Sequence, residues 1–368
     1  MIPADFPDDA TLLAIIDHRR PASVSVVVPS SPIPAQHQVA RTALRSAADD
    51  AARELKRAGI DAATTARVVD GIRSLVDDDH LWEHQGRGLL VLATPVDRRA
   101  FRLPFTPTPS IRVNERFDVT PLLRARAHDG QAYVLQFARG VARLSHVSGD
   151  RVQPVALRLP DDLDSVLTHA DNDGRADRER ARSSDGERPE RERYAKAVAE
   201  EVARVAADDV PLILASTEEF ARAYRAQNLH PGLRGYGISA HPQSLDDNTL
   251  VHAVAEFVAA ERRAHTSAWK ERFGTLRAQG LATSRVAEVA AAAAAAAIEE
   301  LRVDQDAERP GTLDAYGRVH PADDADLLVD LAGSVLRAGG RVIAVSRGEL
   351  TDGSPVAAEL RFPVAVPR

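Results

Sequence analysis

The segment at residues 80–84, HLWEH, has residue types at a spacing that could hold a metal ion and activate water. On a helix, His80 and His84 would lie on one face, where both imidazoles can ligate zinc while Glu83 acts as a general base. Here the segment lies between three aspartates and a glycine that precedes a strand, which predicts a helix end or a short turn. We therefore interpret it as a surface segment anchored in the core by Trp82. A zinc-dependent hydrolase is the alternative.

A second candidate is a highly charged stretch at residues 169–193, HADNDGRADRERARSSDGERPERER. It contains four arginines at near-helical spacing: Arg175, Arg178, Arg180 and Arg182. The stretch has too few apolar residues to form a core, which predicts a mobile arm. Guanidinium groups pair well with phosphate oxygens, so the arm could contact RNA and become ordered on binding. The interleaved acidic residues cancel its charge, and a neutral, solvated linker is the alternative.

Signatures of other common chemistries are missing from the sequence. There is no cysteine, which excludes disulfides, thiol catalysis and cysteine-ligated metal centres. There is no G-x-x-x-x-G-K-[ST], G-x-G-x-x-G or G-x-S-x-G motif. The run at 171–174 resembles a calcium loop, but His169 and Arg180 stand where an EF-hand requires acids. Ser216 or Thr217 is predicted to be a helix N-cap. No cofactor is therefore predicted.

Composition limits the class of partner. The chain has 47 basic and 54 acidic residues, a formal net charge of −7. A protein held on nucleic acid by bulk charge is usually basic, so any RNA contact is expected at a local basic patch. No uncharged apolar run reaches the length of a membrane span, and acids precede the first apolar stretch, unlike a secretory signal. A cytoplasmic protein without membrane contact is expected.

Hydrophobic periodicity and turn residues predict a mixed α/β (α+β) protein. Strands are predicted at 24–28, 88–93, 98–103, 111–117, 132–138, 141–147, 152–159, 211–216, 298–304, 341–346 and 358–362. Helices are predicted at 38–58, 64–76, 191–207, 217–227, 246–263, 265–279, 283–296 and 323–337. Residues 121–123 are predicted to begin a short connection, and the Gly- and Pro-rich residues 231–237 are predicted to form a turn. The predicted domains are residues 1–128, 129–263 and 264–368.

Segments spread over nearly the whole chain carry a family resemblance. They include VSVVVPSSP at 24–32, DDDHLWEHQGRGLLVLATP at 77–95, RLPF at 102–105, VNERFDVTPLL at 113–123, YVLQFARGVARLSHV at 133–147, RYAKAVAEEV at 193–202, PLILAS at 211–216, LLVDLAGSVLRAGGRVIAV at 327–345 and AELRF at 358–362. In this order they resemble the bacterial relatives of the archaeal and eukaryotic release factor and Pelota family. The resemblance implies an N-terminal α/β domain, a ribonuclease-H-like middle domain carrying the arm, and an L7Ae-like α/β/α C-terminal domain. It also implies binding at or near the ribosomal A site.

One departure from the family pattern bears on activity. Its release factors carry Gly-Gly-Gln on a middle-domain loop that assists hydrolysis of peptidyl-tRNA, and no Gly-Gly-Gln occurs in this sequence. The resemblance therefore implies a non-catalytic, Pelota-like factor that acts in ribosome rescue or hibernation by occupying the A site. The arm arginines would contact rRNA or tRNA, and the C-terminal domain would contact a translational GTPase or the ribosomal stalk base. A stress-associated protein-binding module is a further alternative. Nothing in the sequence requires more than a monomer.

Overall fold

The computed structural model describes residues 7–83, 85–127, 130–149, 151–159, 184–238, 242–323 and 325–364. Backbone contacts divide the chain into a first unit, residues 1–129 with 264–368, and a second unit, residues 130–263. The predicted mixed α/β class is confirmed. In this division the two terminal segments share one unit. Their separation into two domains, like the ribonuclease-H-like and L7Ae-like assignments, stays a prediction.

The N-terminal part of the first unit contains an antiparallel sheet of order β3-β2-β1-β4. Its elements are α1 (Asp9–Ile16), β1 (Ser23–Pro29), α2 (His37–Arg57), α3 (Ala62–Ser74), α4 (Asp79–Glu83), β2 (Gly88–Ala93), β3 (Arg98–Leu103), β4 (Ser110–Asn114) and α5 (Thr120–Ala127). β1 contains four valines and is buried on both of its faces. Val24, Val26 and Val28 pack against α2 and α3, whereas Val27 faces a second core.

The C-terminal part of the first unit contains a sheet of order β10-β15-β11-β14, in which β11 and β14 are parallel. Its elements are the end of α8 (Asp247–Ala278), β10 (Ala282–Thr283), α9 (Val286–Ala294), β11 (Ile298–Asp304), the hairpin β12 (Thr312–Leu313) and β13 (Val319–His320), α10 (Leu327–Arg337), β14 (Arg341–Val345) and β15 (Val356–Leu360). One hydrophobic core joins the two parts, because α1, β2, α5, α9, α10 and β11 all contribute buried side chains to it.

The second unit is a five-stranded sheet of order β7-β6-β5-β8-β9. Its elements are β5 (Gln131–Ala138), β6 (Val141–Ser148), β7 (Arg151–Val155), α6 (Ser184–Val205), β8 (Leu212–Ser216), α7 (Glu218–Arg225), β9 (Leu233–Ile238) and the first part of α8. The first three strands are antiparallel, while β5, β8 and β9 are parallel. Alternate side chains of β5 enter separate cores on the two faces of the sheet, with Leu135 and Phe137 on the side of α6 and α7.

Two predictions about the second unit are wrong for local reasons. Residues 233–237, predicted as part of a turn, belong to β9 (Leu233–Ile238) beside β8. A Cβ on Gly237 would lie only 2.1 Å from the carbonyl oxygen of Leu214, so the glycine allows a close approach between strands and does not mark a turn. The helix predicted from residue 191 begins at Ser184. Arginine and glutamate are good helix formers, which favours continuation of the helix before residue 191.

Three further helices differ from prediction. α8 is continuous through residue 264, where two helices were predicted, because no glycine or proline interrupts the sequence there. Residues 120–127 form the helix α5 instead of a short connection. α1 was not predicted, although the Asp8 side chain caps it by accepting from the backbone N–H of Thr11. Among the described residues, no helix has the length and apolar character needed to cross a membrane.

Candidate functional site

The HLWEH segment is held in place by its tryptophan. Trp82 is only 2% exposed, and its Nε1 donates to the carbonyl oxygen of Leu75 at 2.7 Å. The guanidinium of Arg41 lies over the indole ring, 5.4 Å from the ring centroid. His80 and Glu83 are exposed on the five-residue helix α4, and His84 lies outside the described residues. The anchoring role predicted for Trp82 is confirmed.

Within the described ranges, no three His, Cys, Asp or Glu side chains come together as a metal site. The second sequence candidate cannot be placed in the same way. Arg175, Arg178, Arg180 and Arg182 all lie outside the described residues, as do residues 171–174. Their proposed contact with RNA stays a prediction. The structure does describe residues on either side of 160–183, and we call five of them the arm base: Leu157, Arg158, Arg191, Tyr194 and Glu201.

The incoming side of the arm base is fixed by a carboxylate. Glu201 on α6 accepts a hydrogen bond from the backbone N–H of Arg158 at 2.6 Å. The same carboxylate accepts from the Nε and Nη2 of Arg204 at 2.9 and 2.7 Å. Leu157 and Leu159 pack, partly buried, against the core of the second unit. The chain is therefore held against α6 immediately before residue 160.

The outgoing side of the arm base is fixed by an ion pair and by aromatic packing. Arg191 Nη1 lies 2.6 Å from the Glu219 carboxylate, and its guanidinium lies 5.9 Å from the ring centroid of Phe220. One helical turn later, Tyr194 stacks on Phe137 with 5.2 Å between ring centroids. These side chains belong to the same core that receives the incoming side. The described residues on both sides of 160–183 are thus attached to one face of the sheet.

Acid is expected to break the contact between Glu201 and the Arg158 backbone in the arm base. The hydrogen bonds from the Arg204 side chain and then from the Arg158 backbone lower the pKa of Glu201 from 4.5 to about 2. Because this pKa is depressed in the folded protein, the contribution to stability is complete above about pH 4.5. It is lost as the pH falls through 2. A carboxyl titration by NMR should show Glu201 titrating near pH 2, with the Arg158 amide signal moving at the same pH.

The Glu201→Gln variant is the matched control for this titration. It keeps an acceptor oxygen for the Arg158 amide but removes the charge that pairs with Arg204. We expect the Arg158 amide signal of this variant to be independent of pH below 4.5. A wild-type Glu201 carboxyl that titrates near 4.5 would contradict the proposed fixation of the arm base.

The residues after β8 start a helix, as predicted. Thr217 is the N-cap of α7, and Glu218 and Glu219 lie in its first turn, although Thr217 makes no side-chain capping bond. The Ser216 hydroxyl is buried and donates to the carbonyl oxygen of Thr217 at 3.1 Å. This hydroxyl therefore serves the backbone at the strand-to-helix junction.

A cavity that the sequence did not indicate lies in the first unit, between α1, the β2–β3 turn and the end of β4. Its volume is about 310 Å³. Its lining includes His18, Arg20, Leu92, Asp97, Arg99 and Phe117. We call it the His18 pocket. The pocket depends on α1, whose N-cap aspartate followed by an apolar run was the available sequence signal.

The comparison with protein families gives a match over the second unit. Residues 129–261 match the model of the bacterial archaeo-eukaryotic release factor family 11. The family 11 match covers the sheet, α6, α7 and both sides of the arm base. The resemblance to bacterial relatives of release factors and Pelota is thereby confirmed.

Solved structures similar to this chain include three translation-related proteins. Dom34 of S. cerevisiae, a translation termination-like factor that interacts with Hbs1, is 14% identical. It matches over 75% of this chain and 80% of its own, with a TM-score of 0.42. Ribosome-bound archaeal Pelota, solved with ABCE1, is 18% identical, covering 73% of this chain and 72% of its own at a TM-score of 0.41.

The archaeal termination factor aRF1 is 14% identical, covering 97% of this chain and 99% of its own at a TM-score of 0.22. With TM-scores below 0.5, these three similarities do not define the function of this chain. No curated protein is significantly similar to it.

Proposed function

We propose that this protein is a ribosome-binding translation factor that works without hydrolysing peptidyl-tRNA. The observation that carries the proposal is the release-factor family match over residues 129–261, in a chain that has no Gly-Gly-Gln. Hydrolysis by a release factor depends on a glutamine at the tip of its loop. A chain without that glutamine keeps a means of binding but lacks the group that assists the reaction. The proposed class is a non-catalytic, cytoplasmic factor.

The proposed site of action is the ribosomal A site, in rescue or hibernation. The arm base supports this proposal, because it attaches both ends of a highly charged segment to one face of a rigid sheet. A segment fixed at both ends can extend into a cleft while its ends stay in place on the sheet. Its arginines can then pair with rRNA or tRNA phosphates. A translational GTPase is the proposed protein partner.

The test is co-sedimentation of the full-length protein with purified 70S ribosomes, either empty or loaded with tRNA, over a range of salt concentrations. We expect binding that weakens with salt. Replacing Arg175, Arg178, Arg180 and Arg182 together with alanine should reduce the slope of log K against log salt by about 3, because each phosphate contact contributes slightly less than one. A variant with lysine at the four positions keeps the charge and is the matched control, with a slope close to that of the wild type.

A peptidyl-tRNA hydrolysis assay on the same complexes tests the second half of the proposal. Release at the background rate is expected. Release above background that disappears with a variant of the arm would contradict the non-catalytic assignment. The absence of binding to every ribosomal state would overturn the proposed function as a whole.

A further inference from the structure

The His18 pocket is large enough to hold a small ligand and has a mixed lining. Its volume of about 310 Å³ lies at the lower end of the range of small-molecule sites. Ile15 and Leu92, both at most 3% exposed, supply an apolar floor. Val96 stands 77% exposed at the β2–β3 turn and extends the apolar wall to the rim. A flat, apolar face of a ligand could lie on this surface.

One wall of the pocket is a stacked pair of rings. His18 and Phe117 lie 4.3 Å apart between ring centroids, with 21° between their planes. The His18 ring is fixed, because its Nε2 lies 2.8 Å from the Ser23 hydroxyl. That hydroxyl donates to the carbonyl oxygen of Arg20, so Nε2 must be the nitrogen that donates. Nδ1 is then the remaining acceptor of a neutral ring.

The neutral form of His18 is favoured by its surroundings. Burial lowers its pKa, and the guanidinium groups of Arg20, Arg19 and Arg99 lower it further, against one opposing carboxylate, Asp97. At neutral pH the ring therefore offers an acceptor to a ligand and does not add positive charge to the wall.

Positive charge at the pocket comes from two arginines. Arg20 is exposed, and within the described part of the chain its side chain has no hydrogen bond or ion pair. Among the described residues, the Arg99 side chain makes one long contact, 3.4 Å between its Nε and Asp97 Oδ2. Two guanidinium groups face one carboxylate here, in a chain whose net charge is −7. The pocket therefore has a local excess of positive charge, suited to an anionic group.

We propose that the His18 pocket binds a nucleotide. The heterocyclic base would lie on the apolar floor against the ring pair, with an exocyclic amino group donating to His18 Nδ1. The phosphate would lie between Arg20 and Arg99. The same chemistry is available from a free mononucleotide and from an unpaired nucleotide of RNA, and the test separates these sources. This inference goes beyond the proposed function and does not depend on it, because the pocket lies wholly within residues 14–117 of the first unit.

The experiment uses the full-length protein, with binding measured by calorimetry for AMP, GMP, CMP and UMP and by fluorescence anisotropy for labelled ten-residue RNA oligonucleotides. Adenosine and inorganic phosphate, each half of the ligand, are expected to bind more weakly than AMP. Binding of mononucleotides would identify a free-nucleotide site. Binding of oligonucleotides alone would identify a site for an unpaired RNA residue.

Three variants test the placement. Arg20→Ala and Arg99→Ala are each expected to lower the affinity about tenfold or more, because each removes a charge-assisted contact. Phe117→Leu should weaken the binding of nucleotides but leave that of phosphate unchanged. Arg98→Ala is the matched control, since Arg98 is equally exposed on the same strand but does not line the pocket. Adjacent strand residues point to opposite faces of a sheet.

The proposal is overturned if neither mononucleotides nor oligonucleotides bind at millimolar concentration. It is equally overturned if they bind but Arg98→Ala weakens mononucleotide binding as much as Arg20→Ala does. Ribosome binding by the same preparation is a separate readout, so the failure of the nucleotide site can be told apart from the failure of the proposed function.

Discussion

Replacement of Glu300 by alanine is expected to destabilise the first unit by about 3–5 kcal/mol, because it leaves a buried guanidinium without its carboxylate. Glu300 is 4% exposed and Arg302 is 8% exposed. The Nε of Arg302 lies 3.0 Å from one carboxylate oxygen of Glu300, and the Nη2 of Arg341 lies 3.1 Å from the other. Arg341 can turn toward water when Glu300 is removed, whereas Arg302 cannot.

Arg302 is enclosed, so water cannot hydrate its guanidinium when Glu300 is removed. Its guanidinium lies 4.2 Å from the centroid of Trp269, which is 1% exposed on the last part of α8. Nearby, Arg272 of the same helix pairs with Glu359 at 3.1 Å. The helix thus covers the charged face of the sheet with an aromatic ring and one further cation. An isolated positive charge at this site would be both desolvated and repelled.

Urea unfolding of full-length Glu300→Ala measures this loss, and the neighbouring Glu299→Ala is the matched control. Glu299 is half-exposed and pairs with Arg361 at 2.8 Å on the solvent side. Its loss should cost no more than about 1 kcal/mol. The double variant Glu300→Leu/Arg302→Met should recover much of the stability, because it removes the unpaired charge together with its partner. Equal losses for the two single glutamate variants would contradict the argument.

The strand that contains Glu300 shows what the sequence can and cannot predict. The predicted bounds of 298–304 agree with β11, because β-branched and leucine residues alternate with charged ones. The same alternation would place Glu300, Arg302 and Asp304 on a solvent face, yet all three are buried. Glu300 and Arg302 are covered by the last part of α8, which is separated from β11 along the chain by β10 and α9. Local patterning therefore predicts the strand but not its cover.

The candidate sites also have parts that the sequence predicts and parts that it does not. The arm was predicted from composition alone, since a charged run without apolar residues is a local property. Its base was not predicted, because Glu201 meets the Arg158 backbone only after β7 and α6 have packed on one sheet. The His18 pocket was missed for a related reason. Its walls come from a helix, a turn and a strand end that lie up to about 100 residues apart, and such long-range juxtapositions are not encoded in local periodicity.

The second large effect is expected at Trp82. Trp82→Ala should lower the free energy of unfolding of the first unit by about 3–5 kcal/mol, through the lost buried area and the cavity that remains. Trp82→Phe should cost less, because it keeps an aromatic ring but leaves the carbonyl oxygen of Leu75 without its indole donor. Thermal and urea unfolding of both variants, with and without added zinc, provide the measurement.

The exposed His80 supplies the control that separates structure from metal chemistry. His80→Ala is expected to change the unfolding free energy by less than about 0.5 kcal/mol, with no dependence on zinc or chelator. A chelator-sensitive loss at His80 as large as that at Trp82 would revive the zinc-dependent hydrolase.

The structural interpretation predicts a larger loss of stability at Trp82 than at His80, because the connection into β2 depends on the buried residues of α4. Gln85 donates to the carbonyl oxygen of Leu81 at 2.6 Å and accepts from the Ser30 hydroxyl at 3.1 Å. These bonds tie the residues after α4 to the end of β1. Loss of Trp82 should loosen that connection and expose the backbone amides at the start of β2 to hydrogen exchange, whereas loss of His80 should leave them protected.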